Sequence, residues 1–138
     1  MSKSSFEEEL DKKGILVYAN KGNSMYPLIR QGKDVLIIKK VNTRLKKMDV
    51  PLYKRKSGQY VLHRIIKVNE NDYVIRGDNT YYNETGIRDD QILGVLSGVI
   101  REGKEISVNS LSYKLYSYFW YYTYYLRKLI IKIKRCIR

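Results

Sequence analysis

Residues 21–38 read KGNSMYPLIRQGKDVLII: a serine sits in a Gly-Asn turn, a methionine and a proline follow, and the chain then enters an apolar run. Gly and Asn tolerate a turn backbone and a hydroxyl hydrogen-bonds locally, so turn chemistry alone accounts for Ser24. It gives no reason for the Met-x-Pro. The run that closes the stretch, VLIIKK, is short and β-rich, and the same texture recurs on both sides of it.

Before it, the acidic piece MSKSSFEEELDKK fits a short helix over residues 1–13, with Ser5 as N-cap, Glu8 completing a capping box and Gly14 as the stop. After Gly14 come ILVYAN, VLIIKK, QYVLHRIIKV, DYVIR and QILGVLSGVI, separated by KSG, NEND and GDNTYYNETG. These runs define a mainly β body over residues 14–109. Pro51, in DVPLYKR, removes a ladder hydrogen bond and predicts an edge or bulged strand there.

With 138 residues and 43% apolar content, the chain suits one modest core and terminal extensions. Lys and Arg number 27 against 14 Asp and Glu, a net charge of +13 that favours an anionic partner such as nucleic acid or a lipid surface. A single cysteine, Cys136, forms no internal disulfide, and a single histidine, His63, makes no multi-ligand zinc site without clustered carboxylates. Neither metal nor cofactor is expected. The first residues carry no apolar segment of the signal-peptide kind, so a cytoplasmic start is expected.

Residues 110–138 change character. LSYKLYSYFWYYTYYLRKLIIKIKRCIR holds seven of the fourteen tyrosines, the only tryptophan, seven Lys or Arg and no acid. Leu115, Phe119, Tyr122, Leu126, Leu129 and Ile133 recur at helical spacing, with Lys128, Lys132 and Arg135 on another face. The run is too short and hydroxyl-rich to span a bilayer before Arg127 and Lys128 interrupt it. The favoured reading is one amphipathic helix lying on an anionic membrane surface. A helix packed on the sheet or on a second copy is the plainer alternative, and nucleic acid is the least favoured partner because no recognised module accompanies the charge. On the favoured reading, removing the tail costs vesicle binding.

A serine becomes a nucleophile only beside a group that takes its proton. The one histidine, His63, lies in YVLHRII, which reads as a strand. On its own it is an ordinary half-buried residue. The order GNSMYP, HRI, VIRGDN, QILGVL, however, resembles the superfamily of type I signal peptidases and LexA-type serine peptidases, in the branch where histidine replaces the dyad lysine. The likeness runs from about Gly14 to Ile106.

That resemblance implies a coiled β-sheet fold and a serine endopeptidase acting on signal- or leader-type peptides. It makes Ser24 the nucleophile and His63 the base, acting near an unshifted pKa of about 6.5. The backbone N–H of Ser24 becomes an oxyanion donor, and Gly22 stands where many bacterial members carry a hydroxyl. Asp78 of the Gly77-Asp78-Asn79 box is a candidate third member, with Glu84, Asp89 and Asp90 as other acids within reach. An extended peptide would add between ILVYANK and QYVLH, against Tyr18, Asn20 and Met25 on one side and Tyr60 and Leu62 on the other. Met48 stands where the family has glycine, which should alter a turn more than the chemistry. Lys39, Lys40 and Lys67 are expected to be solvated. The only alanine, Ala19, is followed by Asn20 and not by the glycine of a self-cleavage site, so a substrate in trans is expected. The competing class is a catalytically idle β-domain that binds a peptide or an anionic surface.

Overall fold

The computed structural model describes residues 5–137. Residues 1–4 of the expected first helix and residue 138 of the expected tail helix lie outside them. Helix α1 (Phe6–Lys13) begins where the Ser5 hydroxyl accepts from the Glu8 N–H at 3.2 Å, and stops at Gly14, whose φ of 72° is open to a residue without a Cβ. Strands β1 (Ile15–Ala19), β2 (Val35–Lys40), β3 (Pro51–Lys54) and β4 (Tyr60–Leu62) follow, then β5 (Arg64–Val68), β6 (Tyr73–Arg76) and β7 (Glu84–Ile87). Strands β8 (Ile92–Arg101) and β9 (Lys104–Ser107) complete the β body, and α2 (Leu111–Tyr122) and α3 (Tyr124–Ile137) close the chain.

The described strands form two antiparallel sheets. The larger runs β1-β2-β8-β3-β4 with β9 on the far half of β8, and the smaller runs β5-β6-β7. The larger sheet curls until its two outer strands nearly meet. Phe6 of α1 fills the gap, its ring 4.9 Å from that of Tyr18 on β1 and 4.8 Å from that of Tyr60 on β4. Leu10, Leu36, Ile38, Leu52, Leu62, Leu96 and Val99 pack inside the curl, and Tyr53, Ile65, Tyr73, Ile75 and Ile87 form a second cluster between the sheets.

Of the two alternatives for Pro51, the bulged one holds: β3 lies between β8 and β4 and is no edge strand, Pro51 opens it where its missing N–H is least costly, and the register against β8 shifts one residue later, between Leu52 and Tyr53. Two expectations change. QYVLHRIIKV is two strands, not one. Leu52 pairs with Leu62, so position 63 falls opposite Pro51, which has no N–H to offer; the chain leaves the larger sheet there and enters the smaller at Arg64. The C-terminal helix is likewise two, broken at Thr123, whose backbone N–H and hydroxyl both bond back to the Phe119 carbonyl. Among the described residues, no helix is long and apolar enough to cross a membrane.

Candidate active site

Ser24 opens a turn between β1 and β2, in which the Tyr26 N–H donates to the Asn23 carbonyl at 3.1 Å, and His63 sits at the corner between β4 and β5. The two stand 39 positions apart in the chain, yet Ser24 Oγ lies 3.0 Å from His63 Nε2. They sit in a cleft of about 310 Å³ walled by Asn20, Gly22 and Asn23 on one side and Arg55, Tyr60 and Leu62 on the other. Both walls continue into outer strands, β1 and β4, each with one side of its backbone unpaired in the larger sheet.

The segment after β6 forms the floor. Asn79 N–H donates to the Ser24 carbonyl at 2.8 Å and its side chain to the Asn23 carbonyl at 3.1 Å, which fixes the turn that presents the serine. Gly77 passes so close that a Cβ there would stand 2.7 Å from the Ser24 carbonyl oxygen and 3.0 Å from His63 Nε2. Only glycine fits under this pair without displacing it. The Ser24 N–H has no acceptor among the described residues and stays available to a ligand.

His63 is 4% exposed. Burial holds its pKa down to about 4 and the nearby Arg55 charge adds to the effect, with Glu84 and Asp78 opposing it. The ring is therefore neutral across the physiological range, not poised near 6.5. A neutral imidazole protonated on Nδ1 can accept the Ser24 proton at Nε2.

Asp78 does not orient His63. Its carboxylate faces away and takes two bonds from Arg64, Nε to Oδ1 and Nη2 to Oδ2, both 2.9 Å, with each side chain 3% exposed. Glu84 accepts from Tyr53 Oη at 2.6 Å and pairs with Arg55. Burial alone would push that carboxyl up, and these hydrogen bonds hold it below the ordinary range. Asp89 pairs with Arg44 and Tyr73, and Asp90 is exposed. Among the described residues, no carboxylate hydrogen-bonds to the His63 ring.

Of the expected peptide-contacting residues, Asn20, Tyr60 and Leu62 line the cleft, and Tyr18 and Met25 do not. Tyr18 packs on Phe6, and burial pushes its phenol up to about 12. Met25 is wholly buried, its sulfur accepting from the Asp78 N–H at 3.3 Å, so it buttresses the floor from below. Arg55 and Tyr82 join the cleft instead; the strand pattern concealed Arg55 as an ordinary surface cation. Lys39, Lys40 and Lys67 are exposed. Met48 takes a left-handed backbone, at φ 82°, which costs about 1 kcal/mol. Its N–H donates to the Ile65 carbonyl and its carbonyl accepts from Arg64, so the turn still ties down the strand that follows His63.

Helix α2 is bolted to the same floor. Tyr116 Oη donates to Asp78 Oδ2 at 2.9 Å and Trp120 Nε1 to the Asp78 carbonyl at 2.6 Å, while Tyr113 and Ser117 are buried beside them. Tyr113, Tyr116, Ser117, Trp120 and Tyr124 form the inward face, at spacings of three and four. The stripe read from the sequence points outward: Leu115, Phe119, Tyr122, Leu126, Leu129 and Ile133 are all exposed. Comparisons with protein-family models and with curated proteins find no match to this chain.

The low pKa of His63 makes a prediction for any base-dependent rate. Activity that needs neutral His63 should hold as pH falls past 6 and decline with a midpoint near 4. Arg55→Gln removes a charge that disfavours the imidazolium and should move the midpoint upward. The unfolded chain takes this proton near pH 6.5, so stability is full above that value and erodes as the pH falls toward about 4. A pH profile of kcat/KM for both proteins, with a parallel pH series of thermal melts, checks each point; a rate still rising above pH 9 would transfer the role to a lysine.

Proposed function

We propose that the chain is a serine endopeptidase of the signal-peptidase and LexA-like fold, cutting signal- or leader-type peptides in trans with Ser24 and His63. The contact that carries this reading is Ser24 Oγ at 3.0 Å from His63 Nε2 inside a cleft between two unpaired strand edges. An extended peptide adds to those edges through its main chain, which brings a carbonyl over Ser24. Ser24 Oγ attacks the carbonyl carbon as its proton passes to His63 Nε2, and the oxyanion is met by the Ser24 N–H. His63 returns the proton to the leaving amine, and water later releases the acyl group by the reverse relay. A peptide with a phosphonate ester in place of the scissile carbonyl is expected to label Ser24 and to leave Ser24→Ala unlabelled. Absence of label on Ser24, with the peptide still bound, would favour the idle binding domain.

The exposed stripe of α2 and α3, flanked by cations and free of acids, supports docking on an anionic membrane surface. Because α2 clamps Asp78, removing residues 111–138 would strip the cleft floor as well, so the tail cannot be deleted whole without touching the site. A chain ending at Lys128 keeps Tyr113, Tyr116, Trp120, Tyr124 and Arg127 and loses Lys132, Lys134, Arg135 and Arg138. At about 1 kcal/mol per cation, its affinity for anionic vesicles should drop on the order of a thousandfold at low salt, with cleavage of short peptides preserved. Cosedimentation with vesicles and a soluble-peptide assay separate the two effects. Equal vesicle binding by both chains would remove α3 from the interface.

A further inference from the structure

Behind the cleft floor, where α2 and α3 meet the end of β6, a niche of about 10 Å³ is lined by Arg76, Gly77, Asp78, Trp120 and Arg127. Arg76 is 8% exposed and, among the described residues, its guanidinium makes no hydrogen bond and no ion pair, its N–H groups keeping a small opening to solvent. It lies flat on Tyr124, with Cζ 3.4 Å from the ring centre. Arg127 lies on Trp120 in the same manner at 3.8 Å; its Nη2 donates to the Trp120 carbonyl and its Nε to Thr123 Oγ1, while Nη1 is buried with no partner. The acid beside them, Asp78, is taken by Arg64 on both oxygens.

Arg76 and Arg127 thus share a corner whose one acid, Asp78, is already held by Arg64. Stacking on aromatic rings returns only a fraction of what charge burial costs. It also settles which donors remain: a stacked guanidinium has its face covered, so only N–H groups on its edge can reach a ligand, and these are the Arg76 edge and Nη1 of Arg127. Edge donors from two arginines suit the oxygens of a phosphate group. The volume admits about one oxygen, so the rest of the group stays at the mouth.

We propose that this niche is a phosphate-binding site in which Arg76 and Arg127 hold one phosphoryl oxygen between Trp120 and the floor of the cleft. A lipid headgroup and free phosphate carry the same chemistry. Trp120, the only tryptophan of the chain, lies in the wall of the niche and reports on it directly.

The full chain is titrated, following tryptophan emission, with inorganic phosphate at constant ionic strength balanced by chloride, and separately with vesicles of phosphatidylcholine alone or mixed with phosphatidylglycerol. A saturable change is expected with phosphate, or with the anionic vesicles alone if a headgroup is the occupant; chloride and pure phosphatidylcholine should give none. Arg76→Gln and Arg127→Gln should each weaken the response at least tenfold, and the second variant serves where the first fails to fold. The wild-type melting temperature should rise with the occupying phosphate source. No saturable response to either source overturns the site, as does a response that both glutamine variants retain. Neither Ser24 nor His63 lines the niche, so Ser24→Ala should titrate like the wild type whatever the outcome at the cleft.

Discussion

Alanine at Ser24 or at His63 is expected to lower peptide cleavage by on the order of a thousandfold or more, and alanine at both positions to lower it little further. The nucleophile without a base keeps its proton, and the base without a nucleophile has no bond to make, so either deletion removes the whole relay. The 3.0 Å contact is what makes the two a unit. Measuring kcat/KM on a leader-type peptide for the four proteins tests it, with circular dichroism to show that each is folded. Losses that multiply in the double variant would mean that the side chains act independently.

Gly77→Ala should also be damaging, although it replaces neither residue of the pair. Its backbone is not in the left-handed region, so alanine meets no conformational penalty and the effect is one of space alone. The new Cβ would stand 2.7 Å from the Ser24 carbonyl oxygen and 3.0 Å from His63 Nε2, and something must move. A displacement near 1 Å at the reacting pair costs on the order of a hundredfold in rate. Overpacking of this kind costs about 1–3 kcal/mol of stability, which leaves the cleft able to bind. The expected signature is a drop in kcat with KM little changed, accompanied by slower phosphonate labelling of Ser24. Full activity in Gly77→Ala would show that the floor yields and that the pair is not held from beneath.

Local features were legible in the sequence where the cause is local. Ser5 caps α1 and Gly14 ends it because a hydroxyl and a missing Cβ act within one turn of helix. The meeting of Ser24 and His63 was legible only through the order of several motifs, since no periodicity relates positions 39 residues apart. What the pattern concealed were changes of partner. QYVLHRIIKV alternates evenly across His63, and period two is blind to a chain that leaves one sheet for another; the break was written in Pro51, on the neighbouring strand. Asp78 had two cationic or imidazole neighbours to choose between, and the guanidinium of Arg64 matches both carboxylate oxygens at once, which an imidazole cannot. Strand β7 lay inside what read as a turn-rich separator, because Glu84–Ile87 carries one apolar residue and pairs through its backbone.

The tail inverted the usual rule of burial. Hydropathy ranks Leu115, Phe119 and Leu126 above Tyr113, Tyr116 and Trp120, yet the second set faces the protein. The floor of the cleft is polar, with Asp78, Arg64 and Arg76, and an aromatic ring bearing an O–H or N–H satisfies such a surface where leucine would leave it unpaired. The apolar face was left over, which is why it is exposed.

Strand β8 is the middle strand of the larger sheet and the second-last to be made. It bonds β2 on one flank and β3 and β9 on the other, and among the described residues no other strand joins the half that leads from Ser24 to the half that leads to His63. On the ribosome, β1 can pair with β2 and β3 with β4 as soon as each emerges, because these are neighbours in the chain. The two hairpins then wait. A nascent chain that stops short of Ile92 carries every residue of the pair and its walls and has no frame to bring them together. The order of synthesis thus withholds the cleft until the last part of the β body, from Ile92 onward, is being translated.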